Sequence, residues 1–327
     1  MTGTYATLLG AVAPVFIVIL AGFAIRRAGW LTADADTSLM RLVVNLLFPC
    51  LILDNILGNP AVEQLGNVIL APVAGALTTL LGFGLCWVAA PLFGMREPRA
   101  RRTFAFTVGL YNYGYIALPL IEKLFPQPTV GILLVHNIGV ETALWTAGLA
   151  LISGGTAGGT AETAGGGTSR WRRVLNVPTI AILTALTLHF LGARWWMPGV
   201  VLSAVHGIGA AAIPMGLLLT GATFYDQIRF LSWKDSVADS LGAALLRLGI
   251  LPLCMLALAR WLPCPTELRH VMIVQAAMPC AVVPVLLAKH YGGDPALALR
   301  IIITTSLLGL LTIPFWLQFG LKWIGGN

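Results

Sequence analysis

VQAAMPCAVVPVLLAKHYGGD, residues 274–294, sets two prolines, Pro279 and Pro284, five residues apart in an apolar run. Each lacks a backbone N–H and clashes with the turn before it, so a helix is expected to be interrupted here. The surroundings make the interruption consequential. Of 327 residues, 57% are hydrophobic and 10% charged, with a mean hydropathy of +0.86, whereas a soluble protein is about one-quarter charged. The chain therefore reads as an integral membrane protein. In such a protein, backbone that leaves a helix must be buried in protein or line a wet cavity.

Working outward, apolar stretches lie at 5–25, 42–57, 68–93, 103–121, 129–152, 178–192, 199–224, 237–262, 270–288 and 300–320. Crossing a ~30 Å hydrocarbon layer takes ~20 residues of helix, and membrane barrels instead show ~10-residue segments of alternating polarity. The expected fold class is an all-α polytopic membrane protein with ten transmembrane helices. Positive loops stay in the cytoplasm. Arg26, Arg27, Arg41, Arg96, Arg99, Arg101, Arg102, Arg170, Arg172, Arg173, Arg229, Lys234, Lys289 and Arg300 fall on one side. Lys123, Arg194, Arg260, Arg269 and Lys322 fall on the other, and Arg247 lies inside a span. This predicts a multi-pass protein of the cell membrane with both termini outside. Arg26 and Arg27 follow the first apolar stretch, which reads as a retained span and not as a signal peptide. The net charge of +7 is a topology signal, and its spread over short loops argues against nucleic-acid binding.

Ser153–Ser169 reads SGGTAGGTAETAGGGTS, a flexible linker without the lysine or the strand-to-helix context of a phosphate loop. It divides the chain into a first five-helix repeat (1–152), a linker (153–176) and a second five-helix repeat (177–327). Five is odd, so the second half enters the membrane from the opposite side, as an inverted repeat. The fourth segment contains YNYGYIALPLIEK (111–123), and laying Pro119 on Pro284 puts Gly114 on Pro279. Pro49 and Pro214 echo each other more loosely.

A matched pair of interrupted helices in inverted halves marks a carrier's binding site. The second halves, starting near Pro119 and Pro284, would present N-terminal N–H groups and partial positive charge to the centre, which suits an anion. The first halves would end in carbonyls, available to a cation or to Asn112 and Gln275. The candidate substrate-binding residues are Asn112, Tyr113, Gly114, Pro119, Gln275, Met278, Pro279 and Pro284, with Asn45 from the second span and Arg247 from the eighth. Glu141 and Arg247 lie ~18 Å and ~15 Å into their spans, where ionisable groups are costly and default to function. Two readings stand: a structural Glu141–Arg247 ion pair, or Arg247 on a substrate carboxylate with Glu141 taking a proton or sodium ion. His136 and Asn137 join Glu141 as candidate coupling-ion residues. The cysteines form no C-x-x-C pair, and the other histidines (His189, His206, His270, His290) lack metal-ligand spacing. No cofactor or metal is expected, and the expected partners are a small organic anion and the lipid bilayer.

Asn112-Tyr-Gly-Tyr-Ile-Ala-Leu-Pro119 resembles the N-x-G-x-x-G-x-P signature of the auxin efflux carrier family, with Ala117 in place of a glycine. Gln275-Ala-Ala-Met-Pro-Cys-Ala-Val-Val-Pro284 resembles the ninth helix of the same family, which includes plant auxin carriers and bacterial malate or malonate permeases. Asn176-Val-Pro178, Ile213-Pro214 and Arg247-Leu-Gly-Ile-Leu-Pro252 are lesser echoes. The resemblance implies a fold related to the bile-acid sodium symporters. In it, helices 1, 2, 6 and 7 form a scaffold, helices 3–5 and 8–10 a mobile transport core, and broken helices 4 and 9 cross at the substrate. It also implies carboxylate substrates, and it leaves open a homodimer through the scaffold helices. An enzyme would need a constellation such as H-E-x-x-H or G-x-S-x-G, and a channel a ring of repeated polar residues; neither is found.

Overall fold

The computed structural model describes residues 4–154, 176–228 and 237–324. Among these the regular structure is all helical. Seven helices are long and apolar enough to cross a membrane: α1 (Tyr5–Arg27), α2 (Ala33–Ile56), α3 (Leu65–Phe93), α5 (Pro128–Ser153), α7 (Gly199–Ile228), α8 (Asp239–Trp261) and α10 (Pro295–Ile324). A shorter apolar helix, α6, covers Val177–Phe190. The two proline-marked segments are each split, into α4a (Pro98–Gly109) with α4b (Ala117–Leu124), and α9a (Thr266–Ala277) with α9b (Val283–His290). The linker residues 155–175, including Arg170, Arg172 and Arg173, and also Arg229 and Lys234, lie outside the described residues.

Local chemistry sets the helix ends. Thr4 caps α1 by accepting from the Thr7 N–H, and Arg26 and Arg27 occupy its last turn, where cations oppose the helix dipole. The expected start of the second span at residue 42 is nine residues late. Thr32 precedes a first turn carrying Asp34 and Asp36, good N-terminal chemistry that lowers hydropathy and hides the helix from an apolar scan. Buried Arg26 ties three helix ends together, donating to the Leu31 carbonyl at 2.9 Å, pairing with Asp36, and lying 3.2 Å from Asp226 at the end of α7.

Three spans contain a π-helical turn: Val43–Leu47 in α2, Leu144–Gly148 in α5 and Leu246–Ile250 in α8. Proline explains two of them. Pro49 and Pro252 lack the N–H that would bond the carbonyl four residues back, so the ladder slips by one residue. The Leu248 carbonyl released by Pro252 accepts instead from Trp316 Nε1 of α10 at 2.6 Å.

Packing groups the helices. α1 lies along α7 and also against α10, and α2 packs on α6 and α7; α3 lies along α4a and α5, while α8, α9a and α10 pack on one another, with α9a also against α5. Two of these seams are backbone to backbone. A Cβ placed on Gly139 would overlap the Pro72 carbonyl oxygen and one on Gly75 that of His136, sealing α3 to α5; Gly22 and Gly221 meet Leu218 and Ile19 in the same way between α1 and α7. Small residues at such contacts are how membrane helices gain dispersion energy without a hydrophobic driving force. Gly139→Ala is expected to cost about 1–3 kcal/mol through overpacking. Gly84→Ala, where a Cβ meets nothing within 4 Å, is expected to be neutral or stabilising by up to about 1 kcal/mol. Thermal unfolding of both variants in one detergent checks this, and equal melting temperatures would refute the close-packing account.

Candidate functional site

The two breaks meet. Residues 110–116 separate α4a from α4b, and 278–282 separate α9a from α9b. Tyr111 and Cys280 form an antiparallel bridge: the Asn112 N–H donates to the Pro279 carbonyl at 2.8 Å, and the Ala281 N–H to the Leu110 carbonyl at 2.9 Å. Each interrupted helix thus satisfies backbone groups that the other left open. Side chains complete the pairing. Asn137 Nδ2 and Gln275 Nε2 both donate to the Tyr113 carbonyl, at 3.1 and 3.2 Å. The Asn112 Oδ1 accepts from the Ile116 N–H at 3.3 Å, and Thr305 Oγ1 of α10 accepts from the Cys280 N–H at 3.4 Å. The half-helices start near the prolines, as expected. Pro119 is the third residue of α4b and Pro284 the second of α9b, positions where the missing N–H has no intrahelical partner to lose.

Against this crossing lies a cavity of about 180 Å³. One wall comes from Asn112, Tyr113, Gly114, Tyr115 and Leu118 together with Ala281, Val282 and Val283, so both N-terminal ends, of α4b and of α9b, border it. α5 contributes Leu134, Asn137 and Glu141. The facing wall is Val44, Phe48 and Ile52 of α2 with Pro178, Thr179 and Ile182 of α6. Among the described residues, no lysine or arginine is in this lining.

Glu141 is the cavity's carboxylate. Tyr113 Oη donates to its Oε1 at 2.6 Å; Trp145 Nε1 and Asn176 Nδ2 donate to its Oε2 at 2.7 and 2.9 Å. Trp145, in the π-turn of α5, follows Glu141 by four residues, the spacing at which helical side chains meet. Asn176 does two things, since its Oδ1 also caps α6 by accepting from the Thr179 N–H at 2.9 Å. Trp145 and Asn176 were not among the residues singled out for the site. The signal for Asn176 was present as a helix-capping Asn two residues before Pro178.

The other candidates are placed as follows. Gln275, Met278 and Pro279 are buried within the crossing, behind the lining. His136 is fully buried, its Nδ1 3.5 Å from the Asn137 Oδ1. Asn45 faces away: it is exposed and its amide bonds the Arg41 carbonyl one turn back at 2.8 Å. Arg247 is outside the lining and is not paired with Glu141, because its Nη2 points to Ala276 O and Met255 Sδ while Glu141 is held by Tyr113, Trp145 and Asn176. Sequence spacing put both ionisable residues at similar depth but left their bearing around the helix axis open.

Two substitutions at Asn176 weigh the helix cap against charge beside Glu141. Asp caps a helix as well as Asn does, and loss of a cap costs about 1 kcal/mol, yet Asp removes the donor to Glu141 and adds a like charge. Asn176→Asp is expected to melt no higher than Asn176→Ala. A clearly more stable Asp variant would show that the like charge added beside Glu141 costs less than the cap contributes.

Comparison with known proteins places this architecture. A family described as membrane transport protein matches residues 7–317. A protein of Methanothermobacter thermautotrophicus described as an uncharacterized transporter is 26% identical over 306 residues, 92% of this chain and 95% of its own. The probable auxin efflux carrier component 1c of Oryza sativa subsp. japonica is 28% identical over 155 residues, 46% of this chain and 26% of its own. Auxin efflux carrier component 3 of Arabidopsis thaliana is 28% identical over 155 residues, 46% of this chain and 24% of its own. The match thus spans about a quarter of each of these two plant carriers. Relatives and family point to a transporter rather than an enzyme. With a family match that runs almost end to end, the chain is a multi-pass membrane protein that belongs to the auxin efflux carrier family of membrane transport proteins.

Proposed function

We propose that this chain is a secondary transporter that carries a small organic anion, a carboxylate, across the cytoplasmic membrane by alternating access. The observation that carries the reading is the cavity at the crossing, bordered by the N-terminal ends of α4b and α9b. Helix N-termini carry a partial positive charge and free N–H groups, and in a low-dielectric site they act strongly on an anion. A volume of about 180 Å³, against the ~300 Å³ and more of drug-sized sites, suits a small solute such as a dicarboxylate. Its lining draws on α4, α5 and α9 on one side and α2 and α6 on the other. In this reading α1, α2, α6 and α7 are a scaffold, past which α3–α5 and α8–α10 move the occupant. The chain then has ten spans in two inverted five-helix repeats, with both termini outside.

Glu141 bears on coupling. An anion entering this cavity meets the Glu141 carboxylate, and two negative charges in a poorly hydrated space repel strongly. Entry of one proton with the anion removes that repulsion, which makes Glu141 the coupling group of the proposal.

The first test is thermal unfolding of the purified protein with mono- and dicarboxylates, with and without sodium, at two pH values. A bound ligand at a hundredfold excess over its Kd is expected to stabilise by about 2.7 kcal/mol. Gly114→Leu is expected to abolish that shift while leaving the unliganded melting temperature near wild type, because a Cβ at Gly114 meets nothing within 4 Å and the added side chain fills the cavity. No shift with any carboxylate would sink the substrate class. Glu141→Gln keeps the shape and cannot titrate, so pH dependence of uptake into proteoliposomes is expected to flatten; an unchanged profile would remove Glu141 from coupling.

A further inference from the structure

Arg247 is fully buried, in the π-turn of α8. Its Nη2 donates to the Ala276 carbonyl at 3.5 Å and to Met255 Sδ at 3.4 Å, its guanidinium carbon lies 5.5 Å from the centre of the Tyr111 ring, and its Nε and Nη1 have no hydrogen-bond partner. The ion pairs among the described residues involve Arg26, His206 and Arg300, so no carboxylate neutralises it. An uncompensated charge at this depth is costly, and its position explains what offsets the cost.

The guanidinium stands at the end of a half-helix. α9a stops at Ala277, and the last carbonyls of a helix carry a partial negative charge. In carriers built on interrupted helices, such ends and the unwound carbonyls beside them are where a dissociable sodium ion or proton is coordinated. Here five of the carbonyls at the two breaks have resident donors. Tyr113 O takes two side-chain amides, Leu110 O and Pro279 O are paired across the breaks, Gln275 O takes the Met278 N–H, and Ala276 O takes Arg247. Arg247 touches Tyr111, the residue just before the cavity-lining Asn112, and Ala276, which is outside the lining, and so it lies behind the cavity wall and not against an occupant.

We propose that the Arg247 guanidinium is a tethered cation that takes the place of an exchangeable metal ion at the C-terminal end of α9a. It cancels the negative pole of that half-helix and leaves the positive poles of α4b and α9b facing the cavity, without sodium. Arg247 is in this sense a positioning residue for the crossing and for its charge. The functional consequence rests on the crossing being the substrate site; the cation replacement itself does not.

The test therefore contains no carboxylate. Thermal unfolding of the full chain is followed while choline is exchanged for sodium at constant ionic strength, and again with low-millimolar guanidinium. The wild-type melting temperature is expected to respond to neither. Arg247→Ala is expected to melt lower and to gain a saturable rise of about 2–4 °C with guanidinium or sodium, a response that loss of packing alone does not produce. Arg247→Lys, which keeps a cation, is expected to remain insensitive. A saturable sodium shift in the wild type, or an Arg247→Ala protein indifferent to both ions, would overturn the proposal. If Arg247→Ala does not fold, Arg247→Gln, also neutral, carries the same expectation, and its indifference to both ions would overturn the proposal. Absence of any carboxylate shift alongside the expected ion responses would count against the transport reading alone.

Discussion

The pair of hydrogen bonds between Asn112 and Pro279 and between Ala281 and Leu110 is what permits the rest of the site. Backbone groups released inside hydrocarbon have no water to turn to, and each left unpaired costs several kcal/mol. Two unwound segments placed edge to edge solve this for each other, and neither could stand alone. Once they are paired, the half-helices on either side are fixed in direction. Their N-terminal ends then come to one cavity, and the side chains that finish the pairing, Asn137 and Gln275, are held beside it. The prolines follow from the same constraint, for Pro279 supplies a carbonyl to the pair and needs no partner for an N–H it lacks.

Much of this was legible in the residues, and the limits have physical causes. Gly114, Pro119, Pro279 and Pro284 announced both breaks because breakers in an apolar run have few other uses. That both breaks belong to one central site is readable from their matched positions in the two halves. The start of α2 was misplaced because Asp34 and Asp36 serve the helix while lowering its hydropathy. Asn45 was drawn to the site by its nearness to Pro49, but the π-turn at Val43–Leu47 shifts the register there, and Val44 lines the cavity instead. Depth along a span can be counted from a sequence, whereas azimuth after a π-turn cannot. The same difficulty hid the bearing of Arg247, which also lies in such a turn, and of Trp145.

The charged groups divide by role. Arg26 is buried yet doubly paired, to Asp36 and near Asp226, and it joins the ends of α1, α2 and α7. Glu141 is satisfied by neutral donors from three elements, the α4 break, α5 and the cap of α6. Through Asn176 its carboxylate reaches across the cavity to the helix that follows the glycine-rich connection. Three ionisable groups thus meet three kinds of compensation: opposite charge, dipolar donors and, for Arg247, a helix end.

The glycine seams bear on motion. Where Gly139 faces the Pro72 carbonyl and Gly221 that of Ile19, one helix cannot slip past its neighbour by a fraction of a turn without main chain striking main chain, so α3 with α5, and α1 with α7, are locked as paired girders. Sliding is easier across surfaces padded by rotatable side chains. Phe48 and Ile52 opposite Tyr115 and Leu118 make such a surface. The cavity is therefore seated where the contact is most compliant, against a floor of crossing backbone that its own hydrogen bonds hold in place.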